Sequence, residues 1–168
     1  IAAICEKYGI ILLEDSAESL GAFVNEKHTG TFGRAGVFSF NGNKIITSSG
    51  GGMLVTDDER LASQARFLAT QAKEPFLHYE HETFGYNYRM SNICAGIGRG
   101  QMTVLDEHIA HHRRLARVYA EAFADIDGID FHDNPSPEMD SNFWLNTITL
   151  APGLRVKGQA MAYRTTVH

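Results

Sequence analysis

Apolar and polar positions change period several times along this chain, and each change marks an element. Ile1, Ile4, Cys5 and Tyr8 recur at helical spacing and Gly9 follows, so residues 1–8 predict a helix closed by a glycine cap. The helical period is then lost. Ile10-Ile11-Leu12-Leu13 is a continuous aliphatic run that ends in Glu14-Asp15. Such a run predicts a strand buried on both faces of a parallel sheet, with Asp15 at its carboxyl end, where open α/β sheets bind ligands. Ser16 to Gly21 predicts a turn, and Ala22 to Gly30 a small hairpin with Asn25 through Lys27 at its tip. Gly33 and Gly36 bracket a further turn before the β-like run Val37-Phe38-Ser39-Phe40.

Thr47-Ser48-Ser49-Gly50-Gly51-Gly52 leads into the apolar Met53-Leu54-Val55-Thr56. A glycine run can cradle phosphate, but that arrangement has a helix after it, and here a strand follows. The glycines therefore predict a tight reversal behind Lys44. Asp57 is the expected N-cap of a helix reaching Leu68. Residues 71–90 are loop-like and rich in His and aromatics. A helix is expected from Ser91 or Asn92 to about Leu105, and residues 106–126 carry the clearest amphipathic pattern, with Ile109, Ala116, Tyr119, Phe123 and Ile126 on one stripe. Gly128 ends that helix. Asp133 to Asp140, with Pro135 and Pro137, is expected to be a linker, and Phe143 to Leu150 alternates as a strand of a second, smaller region.

Composition excludes more than it selects. The 168 residues suffice for one domain with a core, and 43% hydrophobic with 21% charged residues is ordinary for a globular chain. A net charge of −5 gives no electrostatic reason to expect nucleic acid or an anionic membrane as partner. No apolar run approaches the length that spans a bilayer. Cys5 and Cys94 lie far apart with no Cys-x-x-Cys, which fits a reducing compartment and argues against a disulfide scaffold or a zinc site. With Ile rather than Met at position 1 and no signal-like segment before the first helix, a cytoplasmic and incomplete chain is expected. No metal is expected either. His78, Glu80, His81 and Glu82 lack regular ligand spacing, and no acid or Cys completes a set with His108, His111 and His112, which predict a solvated helix face.

Asp15 and Lys44 are the candidate chemistry. Twenty-nine positions separate them, room for two strand ends to bring an acid and an amine to one crevice. A pyridoxal phosphate site needs that pair. The lysine forms the Schiff base, and the acid keeps the pyridine nitrogen protonated so that the ring can act as an electron sink. An Asp closing a strand and a surface Lys in a turn is the plainer reading of the same spacing.

The neighbouring residues carry a resemblance. Glu14-Asp15-Ser16-Ala17-Glu18-Ser19-Leu20-Gly21-Ala22, Gly30-Thr31-Phe32-Gly33, Phe38-Ser39-Phe40-Asn41-Gly42-Asn43-Lys44, Gly50-Gly51-Gly52-Met53-Leu54-Val55-Thr56 and Gly85-Tyr86-Asn87-Tyr88-Arg89-Met90-Ser91 follow in one order. Together they resemble the DegT/DnrJ/EryC1/StrS family, the fold-type I, pyridoxal phosphate-dependent aminotransferases of nucleotide-linked keto sugars, and most closely its bacillosamine-type branch. The resemblance covers residues 1 to about 150. It implies an α/β fold: part of the aspartate aminotransferase-like large domain with a mostly parallel sheet over residues 1–105, then over 106–168 a connecting helix and the start of a small C-terminal α+β domain. Members of the family are longer than this chain. The Gly-rich phosphate loop and the stacking aromatic that precede the matched region in the family are not found here, and Arg155 to His168 stops where the family continues. The chain is accordingly expected to be a fragment, and a folded but inactive piece stays open.

Carried over by position, the resemblance implies that Lys44 is the Schiff-base lysine and the proton shuttle, with Asp15 facing the pyridine nitrogen. Ala17 would pack under the ring. Glu18 stands where the family often has Gln or His near the phenolic oxygen, and an ionised carboxylate could not donate to a phenolate. Ser39 would donate to the phosphate. Asn87 would reach the cofactor phosphate of a neighbouring subunit, implying a homodimer with shared sites, while Arg89 would hold the loop or touch substrate phosphate. The implied reaction passes an amino group, with glutamate as donor, to the 4-keto position of a UDP-linked 6-deoxy sugar. A GDP-linked 4-keto sugar, giving perosamine, is the alternative substrate. Lys44 argues against the dehydratase branch, where a His replaces it, and a non-catalytic binding member would be expected to lack Asp15 or Lys44.

Overall fold

The computed structural model describes residues 1–154, so the expectation placed on Arg155 to His168 lies outside the described residues. The first helix, α1 (Ala2–Lys7), ends as its spacing predicts. Gly9 takes φ 63°, its N–H donates to Glu6 O at 3.2 Å, and the Ile10 N–H donates to Cys5 O at 2.8 Å, the paired bonds of a left-handed helix end.

Strand β1 (Leu13–Asp15) follows, shorter than the aliphatic run that predicted it. The hairpin is β2 (Phe23–Val24) and β3 (Lys27–His28), and both turn residues, Asn25 and Glu26, have positive φ, which matches the right-handed twist of the flanking strands. Next come β4 (Ala35–Ser39) and β5 (Gly52–Val55). The sheet order is β1-β4-β5, with β1 parallel to β4 (Asp15 opposite Val37) and β5 antiparallel to β4 (Ser39 opposite Gly52). Among the described residues the sheet is thus mixed rather than mostly parallel.

One burial expectation fails. Ile10, Ile11 and Leu13 are exposed, Leu13 at 66%. Among the described residues β1 pairs on one edge only, and the apolar run leads into an edge strand instead of being enclosed.

Helix α2 spans Glu59–Ala69 and is capped by Asp58, not Asp57; the Asp58 carboxylate accepts the Arg60 and Leu61 N–H groups. Arg34 Nη2, 2.7 Å from Asp58 Oδ2, fixes the choice between the two adjacent acids. Residues 71–90 form the expected loop, tied back where Thr70 bridges Asn87. Helix α3 (Asn92–Met102) has Ser91 as its cap, and α4 (Leu105–Phe123) carries the amphipathic stripe, of which Ile109 and Ala116 are buried and Tyr119 is exposed; the helix stops short of Ile126, which is exposed beyond its end.

The Pro-rich segment is more than a linker. Within it β7 (Met139–Asp140) adds antiparallel to β2, while β6 (Ile129–Phe131) pairs with β8 (Ile148–Leu150) in a separate ladder. The core is Phe40, Ile45, Ile46 and Ile109, with Leu20, Met90, Leu105 and Trp144 packed against it. Full burial of an Ile46-sized side chain contributes about 1.5–3 kcal/mol, so this cluster anchors the turn that carries Lys44 against α4.

Candidate active site

Asp15 closes β1, and the chain turns at once: the Ser16 N–H donates to Val37 O at 2.9 Å and the Ala17 N–H to Asp15 Oδ1 at 3.2 Å. The turn carries Glu18, while β4 ends at Ser39 and Asn41 and Lys44 follow beyond it. Lys44 closes its own turn, its N–H donating to Asn41 O at 3.1 Å. Between the two turns, Lys44 Nζ donates to Glu18 Oε1 at 3.1 Å. The Lys44 side chain is only 12% exposed, against 62% for Glu18.

The carboxylate neighbour of Asp15 has a different task. Glu14 accepts the N–H groups of Gly30 (2.8 Å), Phe32 (2.6 Å) and Gly33 (2.6 Å), which clamps the glycine turn beneath the sheet end. The Ser39 Oγ accepts the Asn41 N–H at 3.3 Å and is otherwise free to donate. Behind the site Gly51 has φ 93°, and a Cβ there would meet Met90 Cε at 2.7 Å, so the reversal and the end of the 71–90 loop are packed as one unit.

The structure therefore unites Asp15, Ala17, Glu18, Ser39 and Lys44 at one end of the β1–β4 pair. Asn87 and Arg89 are elsewhere on the loop surface; both are exposed, and no described contact joins either to Lys44. Three residues of the site carry no local motif. Trp144 sets its indole 4.5 Å from Lys44 Nζ, buried Asn142 donates to Glu18 O and Leu20 O, and Arg113 donates to Ser141 O at 2.9 Å and pairs with Asp140 at 2.7 Å. Trp144 is the sole tryptophan of the chain, the one signal that could have drawn attention to it.

Of the helical histidines only His111 lies on a solvated face. His108 is half-buried and its Nδ1 lies 3.2 Å from Ile45 O, while His112 is half-buried with Nδ1 unpartnered. Burial holds the His112 imidazole below its ordinary value, the charges of His111 and His108 push the same way, and the backbone of Phe143 opposes them. No group of His, Cys, Asp and Glu among the described residues is arranged to hold a metal ion. His78 instead pairs with Glu80 at 2.6 Å.

A family model described as the DegT/DnrJ/EryC1/StrS aminotransferase family matches residues 1–164. The chain belongs to that family. It is 51% identical over 154 residues to the "Putative pyridoxal phosphate-dependent aminotransferase EpsN" of Bacillus subtilis (strain 168), covering 92% of this chain and 39% of that protein. It is 36% identical to the GDP-perosamine synthase of Caulobacter vibrioides, covering 92% of this chain and 42% of that one. Among solved structures, the aminotransferase TlmJ from Streptoalloteichus hindustanus superposes with a TM-score of 0.84 at 30% identity, over 89% of this chain and 41% of that one. The chain thus spans about two fifths of the length of the curated relatives it matches.

These relationships indicate pyridoxal phosphate as the cofactor, and the donor set fits it. A nearly buried amine, an exposed carboxylate engaged only by its own turn and a hydroxyl with its hydrogen uncommitted stand together at the sheet end.

Proposed function

We propose that this chain carries the lysine-bearing part of a pyridoxal phosphate-dependent aminotransferase. It would pass an amino group, with glutamate as donor, to the 4-keto position of a UDP-linked 6-deoxy-4-keto-N-acetylhexosamine in bacterial glycan or polysaccharide synthesis. The observation that carries this reading is the Lys44 amine, withdrawn from solvent and aimed at the turn that begins with Asp15. The GDP-linked 4-keto sugar is the second reading, supported by relatives named GDP-perosamine synthase at 34–37% identity.

Pyridoxal phosphate supplies an electron sink when bound. Lys44 Nζ would hold its reactive carbon end and, once displaced by donor or substrate, move a proton as base and then as acid. The Asp15 carboxylate would hold the proton on the pyridine nitrogen, where opposite charge favours the protonated ring. Ala17 would lie under the ring, with Glu18 near the phenolic oxygen. Ser39 would donate to the phosphate.

Asn87 would act across a homodimer with shared sites, and Arg89 would hold the loop or meet substrate phosphate; the exposed Leu77, Tyr79, Phe84 and Tyr88 of the same loop support a covered surface there. Residues 1–105 would form part of the large domain, and 106–168 the connecting helix and the start of the small one. A cytoplasmic location accords with the free Cys5 and Cys94, and no helix among the described residues is long and apolar enough to cross a membrane.

Absorption spectra of the chain with added pyridoxal phosphate, beside Lys44→Ala, test the proposal. A long-wavelength band that requires Lys44 supports it. Spectra that show only free cofactor in both proteins would overturn the claim that this chain assembles the site.

A further inference from the structure

Glu18 by itself is a weak hold on Lys44, because an ion pair whose carboxylate is 62% exposed is screened by water and salt. The other contact of the amine comes from far along the chain. The Trp144 ring centroid is 4.5 Å from Lys44 Nζ, and its Nε1–H donates to Asn43 O at 2.5 Å, so one indole touches both the amine and the main chain just before it. Two residues earlier, Asn142 is 3% exposed and fully engaged: its amide donates to Glu18 O at 2.9 Å and Leu20 O at 3.0 Å, and its Oδ1 accepts the Trp144 N–H at 2.9 Å. One tripeptide therefore grips the turn that carries Glu18 and the turn that carries Lys44. Between the two grips Phe143 has φ 46°, a region that bulky side chains avoid unless their surroundings over-determine them. The Phe143 N–H donates to Ser141 Oγ at 3.0 Å, which helps hold that conformation.

We infer that Trp144 is a positioning residue for the Lys44 amine, delivered by a bracket of Asn142 and the strained Phe143. The inference rests on the reading of Lys44 as the reactive amine. It assigns the 142–144 segment, which no local motif marks, the task of setting which side of the Lys44 turn the amine occupies. A ring used only for packing would be indifferent to what stands at position 44. A cation held on an indole face would not be.

Because Trp144 is the sole tryptophan, its emission reports the contact directly. The emission of the whole chain would be compared with that of Lys44→Met and, as a control, Lys27→Met, whose amine lies over Phe32 instead. The expected result is a changed emission in Lys44→Met and none in Lys27→Met. In parallel, lysines would be acylated with an N-hydroxysuccinimidyl acetate and mapped by peptide mass. Relative to Lys27, Lys44 should react faster in Trp144→Leu by roughly 2- to 30-fold, the range set by the strength of a cation–indole contact, with Trp144→Phe close to the unsubstituted chain. Emission indifferent to Lys44→Met would overturn the inference, and so would Lys44 reactivity unchanged in a folded Trp144→Leu; should Trp144→Leu not fold, the emission comparison decides. Neither readout involves pyridoxal phosphate. An intact Trp144–Lys44 coupling without a Lys44-dependent cofactor band would sink the functional reading alone, and a band without coupling would sink the positioning role alone.

Discussion

Lys44 Nζ and Glu18 Oε1 are 3.1 Å apart, yet the lysine is drawn out of water and the glutamate is left in it. Such a pair contributes little to stability, under about 1 kcal/mol. Glu18→Gln is therefore expected to shift urea unfolding by no more than that. Gln also offers an N–H that an ionised Glu lacks, so pyridoxal phosphate should bind Glu18→Gln at least as tightly as the unsubstituted chain, within about five-fold. A folded Glu18→Gln that binds the cofactor far more weakly would show that the carboxylate itself is required.

Glu14 is expected to matter more for stability than either residue of that pair. Its carboxylate accepts three backbone N–H groups, and Glu14→Ala leaves all three without their acceptor. Charge-assisted bonds of this kind, part-buried, make the expected loss about 2–4 kcal/mol. Glu14→Gln retains one acceptor oxygen and should fall between. Urea midpoints that descend from the unsubstituted chain through Glu14→Gln to Glu14→Ala would bear this out, and equal midpoints for all three would refute it.

Much of this site was legible because its signals are local. The aliphatic run ending in acid gave β1 and the placement of Asp15, and the Asn-Gly-Asn-Lys turn after a β-like run gave Lys44 beyond β4. What failed depended on distant residues. The Ile10–Leu13 run reads as buried because its apolar density is that of a central strand, whereas among the described residues β1 has a neighbour on one edge only. Asp57 and Asp58 are equivalent caps by pattern, and Arg34, twenty-four residues away, decides between them. Asn142 and Trp144 reach the site across more than a hundred residues, through backbone carbonyls that leave no trace in hydrophobic period.

The Asp58 cap gives a prediction with a pH signature. Its carboxyl is held below the usual value chiefly by the Leu61 N–H, then by Arg34. A depressed carboxylate contributes stability that is fully present above the unfolded-state value near 3.8 and is lost as pH falls through the lower folded-state value. Asp58→Ala is expected to melt at lower temperature than the unsubstituted chain at neutral pH, and Asp58→Asn, still able to cap, at an intermediate one. The gap between Asp58 and Asp58→Asn should close in strong acid. A gap independent of pH would mean that the charge plays no part.

His112, although a base, follows the same proton accounting as Asp58 at a higher pH. Its ring is half-buried on α4 beside His108 and His111, and burial first, then those two neighbours, holds it below the ordinary value. The unfolded chain binds a proton at this ring near pH 6.5, while the folded chain does so only at lower pH. Between those two values the unfolded state carries more protons, so stability rises with pH and is lost as pH falls below about 6.5. The loss should level off once the folded-state ring is also protonated. His112→Gln removes this contribution while leaving His108, His111 and every carboxylate to titrate as before. Melting temperatures measured at intervals from about pH 7.5 to about pH 5 should therefore fall more steeply for the unsubstituted chain than for His112→Gln. Parallel curves would show that the ring is as free to take a proton in the folded chain as in the unfolded one.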